Sequence, residues 1–141
     1  MVVSPNFHFA RNCIEAIQVY EKAFHTATLC VIKNEDADSE DYVAPDRDAS
    51  LVYHAEMMIG GTRVMMSDIT EDAEHQPGNS VSLVITFYNV SDLKSTYDIM
   101  KEGAVILTPM QSTTYSSCFV SLIDRFGMRW EFMTEQRMKK A

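Results

Sequence analysis

The sequence predicts an α+β fold of two βαβββ modules, each a curved sheet with one helix on its convex face and a cleft between the two. Three observations predict it. The same order of elements reads twice along the 141 residues, each helix starts after a short strand at a polar capping residue, and the chain closes on a hairpin, SLIDRFGMRWEFM. A chain of this length forms one compact domain, 1–141, with module one about 1–76 and module two about 77–141.

Phe7 and Phe9 mark the first strand, which stops at Ala10-Arg11-Asn12. Asn12 reads as a helix N-cap, with Glu15 three residues on completing a capping box. Ile14, Ile17, Tyr20 or Glu21, and Phe24 carry the helical stripe, so the helix should run to about Ala23. HTATLCVIK (25–33) is β-rich. Segment 34–49 has no periodicity and contains Pro45, so it reads as a long, mobile acidic loop. SLVYHAEMMIGGTRVMMSD (50–68) is a hairpin turning at Gly60-Gly61. Leu51, Tyr53, Ala55, Met57 and Ile59 form its apolar face, and Val52, His54, Glu56 and Met58 the other.

The second module repeats the order. SVSLVITFYN (80–89) is a strand, and Ser91 caps a helix through about Lys101 with Leu93 and Tyr97 inward, ended by Gly103. AVILTP (104–109) is a strand, and the hairpin at about 115–134 supplies two more. In its last strand Met128, Trp130 and Phe132 share one face, Arg129, Glu131 and Met133 the other. The polar tail Glu135 to Ala141 reads as a frayed helix.

The net charge of −8 belongs mostly to two loops. Residues 35–48 hold seven acids and one base, and 68–74 hold four acids and no base, so the rest is near neutral at nine acids against 11 bases. Such a balance argues against nucleic-acid binding, which needs a basic surface. No window approaches ~20 apolar residues, so no membrane span is expected. Cys13, Cys30 and Cys118 are odd in number and lack C-x-x-C spacing, which argues for a reducing compartment and against a disulfide framework or structural zinc. The start, MVVSPNFHF, lacks a basic n-region and a long apolar stretch, so the expected location is cytoplasmic.

NFHFARNCIEAIQVYEKAF at the start, YHAEMMIGGTRVMMSD in the middle and IDRFGMRWEF near the end resemble the vicinal oxygen chelate superfamily. The likeness is strongest to the PhnB-like branch of its glyoxalase/bleomycin-resistance group. That branch shows N-x-x-E-A-I-x-x-Y, H-A-x-x-x-I-G-G-x-x-x-M-x-S-D and D-x-F-G-x-x-W, and all three occur here in order. They specify the fold; function is less specified, because the scaffold hosts isomerases, dioxygenases, transferases and non-catalytic drug binders. The resemblance implies a small-molecule ligand and a homodimer.

In metal enzymes of this kind a divalent ion, held by His or Glu from both modules, polarises two adjacent substrate oxygens. The four ligand positions implied by the resemblance fall on Pro5 (or Ser4 or Asn6), at or beside Met66, on or near Ser82, and on Glu131. Glu131 alone suits a hard metal, since proline has no donor, a thioether is a poor ligand and a serine hydroxyl is weak. No cofactor is assigned; a divalent metal ion is the candidate.

His54-Ala55-Glu56 offers a different site. H-x-E on a strand puts both side chains on one face, roughly 6–7 Å apart along it. They are candidates for binding a metal with Glu131 or for acid/base work, His54 with Glu131 as the catalytic pair, against the alternative of a solvated or hydrogen-bonded pair. Glu131 amid apolar neighbours needs a cation, donor or water, and Arg129, two residues away on the same face, is the nearest candidate partner. Glu56, Met66, Tyr115 and Arg129 are the candidate ligand-binding residues, Tyr115 as a stacking aromatic or a plain strand-edge tyrosine. Cys118 reads as an inert core cysteine, His75 as a solvated loop histidine, and His8 and His25 as packing or surface. Three functions remain open: a PhnB-like binder lacking most of the usual metal ligands, a lyase, isomerase or dioxygenase-type enzyme with a rearranged site around His54, Glu56 and Glu131, and a protein with a vestigial cleft that serves as an interaction surface.

Overall fold

The computed structural model describes residues 1–70 and 75–135. The expected tail helix, and the end of the second acidic window, lie outside these residues. Contacts divide the chain into two compact units, Met1–Gln76 and Pro77–Ala141. Each is a four-stranded sheet with one helix, and together they give the α+β architecture of two βαβββ modules.

The first unit runs β1 (Asn6–Phe9), α1 (Cys13–Ala23), β2 (Thr28–Lys33), β3 (Val52–Ile59) and β4 (Thr62–Asp68). The sheet order is β1-β4-β3-β2, with β1 parallel to β4 and the other pairs antiparallel. Gly60 allows the tight β3–β4 turn, because its φ of +57° is one that L side chains rarely adopt. Cys13, Ala16, Ile17, Tyr20 and Ala23 form the buried stripe of α1. Tyr20 packs its ring against Phe7 and Phe9, each at 6.3 Å. Ile14, expected in that stripe, is 38% exposed, because the helix starts at Cys13 and its phase puts Cys13 inward instead.

The first helix is also capped differently from the sequence expectation. Asn12 makes no side-chain cap bond. Asp68, at the far end of β4, accepts the Cys13 N–H on Oδ1 and the Val52 N–H on Oδ2, both at 2.9 Å. A carboxylate delivered by the parallel β1–β4 pairing therefore satisfies the helix terminus and ties it to β3. Burial, and then the charge of Asp68, push the Cys13 thiol far up.

The acidic segment makes specific contacts with the rest of its unit. It contains short 3₁₀ turns at Asn34–Asp36 and Asp46–Asp48. Asn34 donates through Nδ2 to the Asp48 carbonyl at 2.9 Å, and the fully buried Asp48 carboxylate lies 2.7 Å from the Arg11 guanidinium. Tyr42 stacks on Tyr53 with centroids 6.1 Å apart. The acids of these loops are thus not all solvated, since Asp48 and Asp68 are buried and structural.

A register shift corrects the start of β3. Ile32 pairs with His54 but Lys33 with Val52, leaving Tyr53 as an extra residue. Such a bulge reverses the alternation beyond it. Val52 is therefore fully buried, and Tyr53, expected inward, is half-buried under Tyr42.

The second unit repeats the topology with β5 (Leu83–Phe87), α2 (Val90–Met100), β6 (Val105–Gln111), β7 (Phe119–Ile123) and β8 (Arg129–Thr134), in the order β5-β8-β7-β6. The helix cap is Asn89, not Ser91: its side chain accepts the Asp92 N–H at 2.8 Å. Leu93, Thr96 and Met100 are buried, whereas Tyr97 is half-buried at the stripe's edge. Between β7 and β8, Asp124 holds the turn. Its Oδ1 accepts the N–H groups of Phe126 at 2.9 Å and Met128 at 3.0 Å, while Oδ2 accepts the indole N–H of Trp130 at 2.8 Å.

Candidate functional site

β3 delivers His54 and Glu56 to the face of the first sheet turned away from α1, because residues two apart on a strand share a face. The flanking strands add to them by register. Cys30 of β2 and Met65 of β4 both pair with Glu56, and Arg63 of β4 pairs with Met58. The Cys30 thiol donates to Glu56 Oε2 at 3.4 Å. Arg63 Nη1 lies 3.0 Å from Glu56 Oε1, and His54 Nε2 lies 3.8 Å from the same oxygen. With a side-chain exposure of 22%, the Glu56 carboxylate has lost much of its water, and these groups replace it.

Chemically the cluster offers a half-buried carboxylate, imidazole and thiol with an exposed guanidinium on the same face. Burial, and then the hydrogen bond to Glu56, raise the Cys30 thiol above its ordinary range, which keeps it a neutral donor. Met58 and Met65 lie half-buried beside the polar groups. Thioethers are adaptable apolar contacts, so the same face can meet both a polar group and the hydrocarbon part of a small molecule.

In the second sheet Glu131 lies opposite Val84 of β5 and Ser121 of β7. Trp130 and Phe132, on the other face of β8, are completely buried. Arg129 Nη2 is 3.5 Å from Glu131 Oε1, and its Nη1 donates to the Asn79 carbonyl at 2.6 Å. Ser121 is buried, and among the described residues its hydroxyl has no hydrogen-bond partner. His54 and Glu131 thus belong to different units, each placed by its own sheet.

Met66 does not occupy the position expected of a ligand-binding residue. It is fully buried on the α1 side of its sheet, in register with Phe7 and Ala55, both of them buried. Alternation leaves its neighbours Met65 and Ser67 on the other face. Tyr115 is 46% exposed in the loop before β7 and packs edge-on to Phe119 at 5.8 Å. Cys118 is buried. Of the remaining histidines, His8 Nδ1 lies 3.2 Å from the Ser67 hydroxyl, and His25 is exposed.

Sequence reasoning missed Cys30 and Arg63. The alternation of TLCVIK puts Cys30 on one face of a strand, but only the β2–β3 register brings it beside Glu56. Arg63 likewise reaches Glu56 from across the β3–β4 hairpin, a diagonal that sequence spacing does not display.

No family model matches the chain. It is similar to Protein YjdN from Escherichia coli (strain K12), with 26% identity over 140 residues and 92% of each chain covered. Among solved structures it resembles a PhnB protein from Bacillus cereus at a TM-score of 0.75, with 19% identity, 95% of this chain and 99% of that one. A glyoxylase/bleomycin resistance protein/dioxygenase domain from Frankia sp. EAN1pec gives a TM-score of 0.67 at 15% identity, covering 99% of this chain and 95% of that one. The chain therefore has the fold of these PhnB and glyoxylase/bleomycin resistance structures. No helix among the described residues is long and apolar enough to cross a membrane.

Proposed function

We propose that the protein is a small-molecule binder of the PhnB-like kind that holds its ligand on the His54–Glu56–Arg63 face of the first sheet and works as a homodimer. The carrying observation is the cluster itself: a half-buried carboxylate with an exposed guanidinium 3.0 Å away, beside two methionines. A surface of that composition suits an amphiphilic ligand with a charged or strongly polar group. The residues named at three of the four positions implied for a shared metal argue against that metal. Pro5 has no side-chain donor and uses its carbonyl to accept the Met65 N–H, Met66 is buried against α1, and Glu131 faces Arg129. The dimer is supported by apolar side chains exposed on the outer strands, Leu29 at 59% and Val105 at 61%.

The test is thermal-shift titration of metal-free protein against a panel of small amphiphilic amines and carboxylates. A binder should stabilise the fold saturably, by about 2–3 kcal/mol at a hundredfold excess over Kd. The gain should vanish in Glu56→Gln for amines and in Arg63→Ala for carboxylates. A panel without saturable shifts, or shifts indifferent to both substitutions, would reject the assignment. Sedimentation of the same preparation should give twice the 16.0 kDa chain mass; a monomer at micromolar concentration would reject the dimer.

A further inference from the structure

Cys30, His54 and Glu56 present a thiol sulfur, an imidazole nitrogen and a carboxylate oxygen that all lie within 4.8 Å of one another. All three side chains are half-buried, neither sealed in the core nor free in solvent. Four-coordinate zinc, with bonds of about 2.0–2.3 Å, places neighbouring donors about 3.3–3.8 Å apart. Here Cys30 Sγ to Glu56 Oε2 is 3.4 Å and His54 Nε2 to Glu56 Oε1 is 3.8 Å. Both contacts to Glu56, one at each carboxylate oxygen, fall at the separation of neighbouring zinc donors, the three groups lie within 4.8 Å of one another, and two adjacent strands hold them there. None comes from the four positions implied by the resemblance.

We propose that Cys30, His54 and Glu56 bind a zinc ion with three protein ligands and one open coordination position. The mixed S, N, O donor set selects the ion class. A thiolate excludes the hard ions Mg²⁺ and Ca²⁺, and a carboxylate disfavours Cu⁺, leaving a borderline divalent cation. On binding, the Cys30 S–H proton leaves to solvent as the Zn–S bond forms, neutral His54 donates a ring nitrogen lone pair, and Glu56 coordinates as the carboxylate. No electron is transferred. Arg63, 3.0 Å from Oε1, then holds the carboxylate from behind while Oε2 faces the thiol. Ligating carboxylates are commonly oriented by such an outer hydrogen bond. The open position would give a ligand's oxygen or nitrogen a direct bond to the metal. The zinc site goes beyond the ligand-binding reading and does not depend on it.

The experiment uses the full chain, reduced and metal-free, titrated with Zn²⁺ and separately with Co²⁺. Expected are one ion per chain and a thiolate-to-cobalt charge-transfer band that is absent in Cys30→Ser. Zinc affinity should fall about tenfold or more in Cys30→Ser and in His54→Gln. Peptide-resolved alkylation gives a second readout on the unmutated chain: zinc should protect Cys30, while Cys13 and Cys118, already buried, should react no differently. Absence of stoichiometric binding, a cobalt band that persists in Cys30→Ser, or unprotected Cys30 would overturn the site. Because the organic-ligand titration is done without metal, loss of the zinc site would leave its outcome untouched, and the reverse also holds.

Discussion

Asp124→Ala should destabilise the chain by about 3–6 kcal/mol, enough to unfold much of a domain whose total stability is about 5–15 kcal/mol. The substitution removes an acceptor from three donors at once. The N–H groups of Phe126 and Met128 lose their acceptor in the turn, and the indole N–H of Trp130 loses its partner at 2.8 Å. Trp130 is completely buried, so water cannot replace the lost acceptor without opening the module. Asp124→Asn should cost about half as much, because one oxygen can still serve the turn while the amide turns a donor toward Trp130. Denaturant melts followed by fluorescence report this directly, since the chain has one tryptophan. A double-mutant cycle with Trp130→Phe should give a coupling of about 1–3 kcal/mol. If Asp124→Ala melts within about 2 °C of the parent with unchanged Trp130 emission, the carboxylate is not the keystone described.

That role explains why the fold was more legible than the function. The three motifs on which the resemblance rests draw much of their specificity from residues that turn out to be structural, although His54 and Met65 of the middle one lie on the candidate face. Asp124 and Trp130 of the last motif bond to each other, Asp68 of the middle one caps α1, and Tyr20 of the first packs on Phe7 and Phe9. Matching them identifies a scaffold, and none of these four side chains reports on a ligand. Element order was readable because β8 alternates cleanly with period two and each helix shows a stripe of period 3.6. Local detail failed wherever a distant partner decided it. The cap of α1 comes from a residue 55 positions away, and the bulge that buries Val52 arises from pairing with β2.

The candidate site divides in the same way. H-x-E was visible because His54 and Glu56 share a strand, and alternation within one strand needs no tertiary information. Cys30 and Arg63 enter only through cross-strand register, so neither could be joined to Glu56 from spacing alone. Met66 itself is fully buried, and on a strand one residue is a change of face. Met65 and Ser67 are the neighbours on the other face.

Asp68→Ala is the corresponding expectation for the first module, with a cost of about 2–5 kcal/mol from two buried amides left without an acceptor. Both bonds are 2.9 Å, and the carboxylate sits at the N-terminus of α1, where a negative charge is favourable. Asp68→Asn separates these contributions. The amide oxygen can serve Cys13 or Val52 but not both, and the helix loses its anionic partner, so roughly half the effect should remain. Hydrogen exchange locates the loss: the amides of Cys13 and Val52 should lose protection first, ahead of the centre of β3. Because Asp68 lies on the face opposite His54 and Glu56 only through the strand register, its substitution should leave zinc affinity per folded molecule unchanged. A variant with full protection at Cys13 and Val52 would show that Asn12 or solvent can cap α1 after all. A variant whose folded fraction lost zinc binding would mean instead that the two faces of the first sheet are mechanically coupled, with the β3 bulge at Tyr53 as the element through which the carboxylate sets the position of His54.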